Sequence, residues 1–324
     1  MSKAAFEKKL AALEALVENE DLDAARTALR KALVDPNNFY VSKAAAIVER
    51  LQLRELADDL CAAFDRFLID GKQRDPKCWA KIAILRALAG LGYREPAVFI
   101  KGFRCIQIEP VWGDEVDSGA GVRAVSAVGL ADSNLETIDI LRILVRGLAD
   151  EERDVVIQTV RALLRLSRWE GELLIRQKAL SGDPNPEVMG ACFDAILQLE
   201  QKGAVEFVAG FLDSTATGSA LEAAAALAQT KEEHALAIVR AHWKKILTQD
   251  MRKTIAIALG ASPLEGAGEF LMEILEEQSG EIAACAVTGI ASSRYRTKFR
   301  DKVLTLVEQK GERNLTQVFR EEFG

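Results

Sequence analysis

The side chains best suited to chemistry lie between residues 107 and 118, where the chain reads Gln-Ile-Glu-Pro-Val-Trp-Gly-Asp-Glu-Val-Asp-Ser. Trp112, followed by Asp114, Glu115 and Asp117, offers an aromatic anchor with an acidic rim, suited to gripping a protein or a cationic group. The structural alternative is that Trp112 folds back onto the core and Asp117 caps the next helix. A second set, Lys77, Lys81, Arg86, Arg123 and Arg161, would form a basic ladder able to hold an acidic peptide or phosphates if the helices bearing it face one groove. A third is Ser293-Arg-Tyr-Arg-Thr-Lys-Phe-Arg-Asp-Lys302, where five basic side chains alternate with Tyr295 and Phe299. Basic residues interleaved with aromatics bind single-stranded nucleic acid. At the start of a helix the same pattern is a solvated face with two aromatics turned inward.

Metal and nucleophile chemistry find less support. His234 and His242 stand eight apart, outside any H-E-x-x-H, with no cysteine or further histidine at ligand spacing. Glu232 and Glu233 read as first-turn residues that stabilise a helix N-terminus. The five cysteines, Cys61, Cys78, Cys105, Cys192 and Cys285, are scattered without a C-x-x-C, as expected of buried, reduced thiols in a cytoplasmic protein. No G-x-G-x-x-G, phosphate-binding loop, G-x-S-x-G or Cys-His pair is present, so the sequence predicts neither an enzyme nor a bound cofactor or metal.

The elements that position these residues follow from a repeat. An anchor column runs Leu88, Leu130, Leu164, Leu197, Leu227, Leu259 and Ile290, with apolar or small residues four and one positions before each, which marks one face of an α-helix. Between these helices lie second amphipathic segments, Leu135 to Leu148, Ala204 to Leu212, Ala235 to Leu247 and Ala267 to Leu275, punctuated by glycines and prolines such as Gly92, Pro96, Gly182, Pro184 and Pro263. A helix pair of this size cannot bury its apolar face alone, so the pairs must stack. The first interval between anchors is about ten residues longer than the rest, and the excess is the Trp112 segment, expected as a loop along one edge.

Composition agrees with a stacked array. At 324 residues the chain exceeds the size at which one core keeps growing. Half its residues are apolar and only 6% aromatic, which suits helices packed through small side chains. The charged start and the absence of a long apolar run predict no signal peptide and no membrane partner. Net charge is −7 and concentrated in residues 111 to 289, which hold 28 acidic against 16 basic side chains and argue against binding nucleic acid through overall charge.

Asp75-Pro-Lys-Cys-Trp-Ala-Lys81 and Asp117-Ser-Gly-Ala-Gly-Val-Arg123 resemble the Asp-x5-Arg/Lys signature of the HEAT-repeat family, in its short, bacterial-type form. Later units place Ile157, Gly190, Ala220, Arg252 and Ala283 in the basic column, and only Arg252 keeps the charge. The resemblance implies an all-α fold, an α-α superhelix or HEAT-like solenoid, with Lys81 and Arg123 pairing to Asp75 and Asp117 between adjacent units. The expected organisation is an irregular helical N-terminal cap over 1–70, about seven helix pairs over 71–310, and a C-terminal capping helix over 311–324. Within the cap, Leu22 to Pro36 resembles the second helix of a tetratricopeptide unit.

On this architecture the expected function is a cytoplasmic protein-interaction scaffold or adaptor, whose groove and acidic loop engage another protein. Trp112, Asp114, Glu115, Lys81, Arg86, Arg123 and Arg161 are the candidate contacts. Two alternatives follow from other HEAT-like proteins. Alkylpurine DNA glycosylases cradle DNA on a basic surface, for which Arg86, Arg123, Arg161 and Trp112 would serve, while the acidic centre opposes it. Phycobilin-lyase-like chaperones would require chromophore handling, for which no motif is recognisable. The paucity of histidine separates the chain from HEAT-like hydroxylases, which bind iron through His-Glu pairs.

Overall fold

The computed structural model describes residues 3–18, 21–166, 169–199, 203–246 and 248–324. Leu247, the expected end of one amphipathic segment, lies outside them. The apolar periodicity is realised as α-helices throughout, with one β-hairpin among the described residues. The fold is therefore the expected all-α stack of helix pairs. Two compact units divide the chain between Leu174 and Ile175, in place of the boundaries expected near residues 70 and 310.

The first unit contains α1 (Lys3–Glu14), α2 (Leu22–Leu33), α3 (Asn38–Arg50), α4 (Ala57–Leu68), the single turn α5 (Gly71–Arg74), α6 (Trp79–Gly90) and α7 (Pro96–Phe103). Strands β1 (Ile108–Val111) and β2 (Asp114–Asp117) follow, then α8 (Ala120–Ala131), α9 (Thr137–Leu144) and α10 (Arg153–Leu166), while α11 (Trp169–Ser181) spans the division. Helices α3, α6, α8 and α10 lie side by side in one row, and α4, α7 and α9 back onto α6, α8 and α10. Local chemistry fixes the starts. Asp21 accepts the Asp23 and Ala24 N–H groups ahead of α2, Asn37 accepts the Tyr40 N–H ahead of α3, and Pro96 opens α7.

The second unit contains α12 (Pro186–Gln198), α13 (Ala204–Ala209), α14 (Thr217–Gln229), α15 (Glu233–Trp243), α16 (Gln249–Leu259), α17 (Glu265–Glu277), α18 (Gly280–Ser292), α19 (Arg296–Lys310) and α20 (Arg313–Phe323). The even-numbered helices from α12 to α20 form one row and the odd-numbered ones from α13 to α19 the other. Helix α20, expected as a cap, packs on α18 and prolongs the row by one step. Small residues set the spacing here. A methyl group at Gly289 would strike the backbone of Ala256, so α16 and α18 approach through bare backbone.

Burial corrects the repeat register in two helices. The buried column is Leu88, Leu130, Leu163, Ile196, Leu227, Leu259 and Ile290, while Leu164 and Leu197 are only partly covered. The doublets Leu163-Leu164 and Ile196-Leu197 offered two apolar choices one residue apart, which is about 100° around a helix. With the register corrected, Val156 and Met189 replace Ile157 and Gly190 in the basic column. Asp150 and Asp183 now fall where Asp75 and Asp117 stand. The same spacing read backwards from Val48, also buried, gives Val41 and Asp35, so α3 belongs to the row and is not an off-register cap. Each of these aspartates orders the turn leading into its row helix. Asp35, Asp117, Asp150 and Asp183 accept the N–H two residues on, and Asp75 accepts those of Ala80 and Lys81.

Candidate functional site

The segment expected to be a loop is an antiparallel hairpin, with Ile108 opposite Asp117, Glu109 opposite Val116, Pro110 opposite Glu115 and Val111 opposite Asp114. Two residues, Trp112 and Gly113, make the turn, and Gly113 supplies the positive φ of 88° that so short a connection needs. The signal was present as Gly113 between two short segments that carry the β-branched residues Ile108, Val111 and Val116, of which Val111 and Val116 flank the tip. Both edges are blunted against further strand pairing. Pro110 has no N–H to offer, and the Glu115 N–H is taken by Asp114 Oδ1 at 2.8 Å.

The root of the hairpin is a buried polar network. Gln107 accepts a hydrogen bond from Lys81 Nζ at 2.7 Å, donates from Nε2 to the Asp75 carbonyl at 2.9 Å and to Glu109 at 2.5 Å, and donates its backbone N–H to Asp117 at 2.9 Å. Glu109 also accepts from Ser118 Oγ at 2.8 Å and from the Lys77 N–H. Arg123 Nη1 reaches Asp117 at 2.6 Å and the Cys105 carbonyl at 2.9 Å, while Nε and Nη2 clasp Asp150 at 2.8 and 2.9 Å. The start of α6, the first turn of α8 and the turn before α10 thus all hold a hairpin of eight strand residues. Polar groups so completely satisfied fix one geometry.

The charges at the root follow their partners. Desolvation would raise the Glu109 carboxyl, but hydrogen bonds from Gln107, Ser118 and Lys77, with the charge of Lys81, hold it below its ordinary value. Asp117 is likewise held low against desolvation by the Gln107 N–H, Arg123 and the Gly119 N–H. Burial pulls the Arg123 guanidinium down, and the Asp150 and Asp117 carboxylates more than reverse it.

The tip is the opposite environment. Trp112 is fully exposed at 108%, so it does not fold back onto the helices. Val111 and Val116 are exposed beside it, as are Asp114 and Glu115. Asp117, expected in the acidic rim, is withdrawn into the root, where it caps the turn into α8. A groove of about 940 Å³ lies along the hairpin flank, lined among others by Arg104, Ile106, Ile108, Glu115, Arg142 and Arg146.

The expected basic ladder is not an open surface. Lys81 and Arg123 are buried, 1% and 7% exposed, and serve the hairpin root, so neither is available to a partner. Their types matched an anion site because a buried pair and an exposed one have the same sequence signature. Arg86 on α6 and Arg161 on α10 are exposed without an ion pair among the described residues, but α8 lies between their helices. Lys77 holds its ammonium 5.7 Å from the Trp79 ring.

The other candidates resolve plainly. In the basic-aromatic run, Tyr295 donates to the Pro263 carbonyl at 2.9 Å, Phe299 is buried, and Lys298 pairs with Glu265, which is the solvated-face arrangement. His234 Nε2 lies 3.3 Å from Glu206 beside a pocket of about 700 Å³, with both side chains more than half exposed. Among the described residues no group of three or more His, Cys, Asp or Glu is placed to hold a metal ion. All five thiols are free, but Cys61, Cys105 and Cys285 are partly exposed where burial was expected. No helix among the described residues is long and apolar enough to cross a membrane.

Comparison with known proteins finds no matching family model and no matching curated protein sequence. Among solved structures, an engineered protein is similar at TM-score 0.34 and 17% identity, over 97% of this chain and 90% of that one. Human deoxyhypusine hydroxylase in complex with glycerol is similar at TM-score 0.30 and 17% identity, over 80% of this chain and 97% of that one. The latter is an enzyme, and the expectation that the chain is not one, which rested on missing motifs alone, is withdrawn. At these TM-scores neither structure carries an activity, ligand or partner over to this chain.

Proposed function

We propose that this protein binds another protein through the hairpin tip, with Trp112 as the anchor and Asp114 and Glu115 favouring a basic surface on the partner. The supporting observation is the contrast within twelve residues: a fully exposed tryptophan stands on a hairpin whose root is locked by buried hydrogen bonds. An exposed indole costs solvation and gains the fold nothing. A rigid mount lowers the ordering cost of using it, because the loop is already in its bound shape. Aromatic residues of this kind dominate interface energetics, and an acidic rim accelerates association with a basic partner at low salt. The HEAT-like Asp column supports the same reading, since stacked helix pairs serve widely as recognition scaffolds.

The test compares proteins captured from an extract of the source cells by the immobilised wild-type chain and by Trp112→Ala, quantified by mass spectrometry, with thermal melting measured on both. A genuine partner should bind the variant more weakly by about 1 kcal/mol or more, roughly fivefold, with unchanged melting. Equal capture by both proteins would remove Trp112 from the interface and overturn the reading.

A further inference from the structure

A cavity beside the hairpin root is built from one sign of charge. About 280 Å³ in volume, it is lined by Lys72 of α5, Lys81 of α6, Lys101 of α7 and Arg104, the residue that ends α7, and no acidic residue among those described lines it. The groove on the hairpin flank differs, since Glu115, Glu151 and Glu152 stand among its arginines, and Asp194, Glu206 and Glu232 line the pocket beside His234. In a chain of net charge −7, a cavity without a carboxylate is a local reversal of sign.

The four cations are not equally engaged. Lys81 is buried, its ammonium bonded to Gln107 and the Phe67 carbonyl and 3.6 Å from Asp75. The backbone of Gly71 packs against it so closely that a methyl group there would come within 2.9 Å of Nζ, so Lys81 is a fixed part of the wall. Lys101 pairs with Asp65 at 2.8 Å, both half exposed, an arrangement that contributes little and opens readily. Lys72 and Arg104 have neither an ion pair nor a side-chain hydrogen bond among the described residues. Both are exposed, yet they reach the same cavity from different elements. The dipole of α7 accounts for basic residues at its C-terminal end, but not for Lys72 meeting them there. Like charges converging on one space repel each other, and an anion between them reverses the sign of that interaction.

We propose that this cavity binds an oxyanion of the phosphoryl class, with Arg104 and Lys72 as the direct donors, Lys101 swinging to it from Asp65, and Lys81 adding charge from the wall. A tetrahedral group presents oxygens in several directions, which suits cations arriving from separate elements better than a planar carboxylate does. Arg104 offers paired N–H donors to two of those oxygens, and the lysine ammoniums meet the others as point charges. A free phosphate and a phosphorylated side chain share this group, and the same donors hold either one. The site stands whether or not the hairpin tip has a protein partner.

Calorimetric titration of the full chain, at an ionic strength held constant with chloride, tests it with two probes: inorganic phosphate and a short neutral peptide carrying phosphoserine. At least one probe should bind at a single site per chain and raise the melting temperature, while acetate at the same ionic strength does neither. The tighter of the two identifies the source as free ion or modified side chain. Arg104→Gln and Lys72→Gln should each raise the dissociation constant at least about tenfold. Because both side chains are exposed and unpaired, the melting temperature without ligand should not change. Arg146→Gln, in the flank groove, should leave binding within about twofold of wild type. No saturable binding of either probe, acetate binding as tight as that of phosphate, or equal losses in all three variants would overturn the proposal, the last because it would mark a general effect of net charge.

Discussion

Lys81 and Arg123 occupy the same step of successive row helices, yet the groups around them would suffer differently from their loss. Asp75 keeps three donors without the lysine ammonium, namely Asn38 Nδ2, the Ala80 N–H and the Lys81 N–H, and the ammonium itself sits 3.6 Å away. Lys81→Met therefore strands chiefly the Gln107 side-chain oxygen and the Phe67 carbonyl, a loss of about 1–3 kcal/mol. Arg123 alone bridges Asp117 and Asp150, and Arg123→Met leaves two largely buried carboxylates without their cation, worth roughly 3–5 kcal/mol. Urea unfolding of the two variants should rank them in that order. Equal losses would show that the Lys81 ammonium, and not the N–H donors, is what Asp75 depends on.

The hairpin is the element whose behaviour should depend most on acidity. The carboxyls of Glu109 and Asp117 are held below their values in an unfolded chain, so folding binds fewer protons there than unfolding does. Their contribution is complete above the unfolded values of about 4.3 and 3.9 and disappears as pH falls through the lower folded ones. The amide resonances of Lys77, Gln107 and Gly119, which donate to these carboxylates, should hold steady down to about pH 4 and move together below it. Movement of all three near neutral pH would contradict this. Sequence alone carried the helices well, because a buried face every three to four residues survives almost any substitution among Ala, Leu, Val and Ile. It misplaced the row register in α10 and α12, where adjacent apolar residues made the stripe ambiguous, and thereby concealed Asp150 and Asp183. The hairpin was legible only in outline: Trp112 and its acidic neighbours marked a surface feature, but the network that fastens it joins Asp75, Lys81, Gln107 and Arg123 from segments far apart in the chain.

At the scale of the whole molecule, the two units are built on different terms. The first staples its row with buried ions, the Asp75–Lys81 pair and the Asp117–Arg123–Asp150 bridge. Between α16 and α18 the second relies on backbone contact at Gly260 and Gly289. Arrays governed by neighbour contacts need not melt as one, and unfolding in two steps is expected, with Arg123→Met lowering only the step of the first unit. A single calorimetric transition that moves as a whole would count against independent units. The four tryptophans make the steps separable by light. Trp79, Trp112 and Trp169 in the first unit are 45%, 108% and 63% exposed, whereas Trp243 in the second is 6% exposed and packs edge-on against Phe270. Indole emission shifts to longer wavelength as water reaches the ring, so Trp112 and Trp169 have little further to go, and Trp79, packed edge-on against Phe39, has less to go than a buried indole. Trp243 begins in the blue. The colour of the intrinsic fluorescence therefore reports chiefly the second unit, and the part of the iodide quenching that is lost in Trp112→Ala, with no dye attached, reports whatever comes to cover the tip of the first.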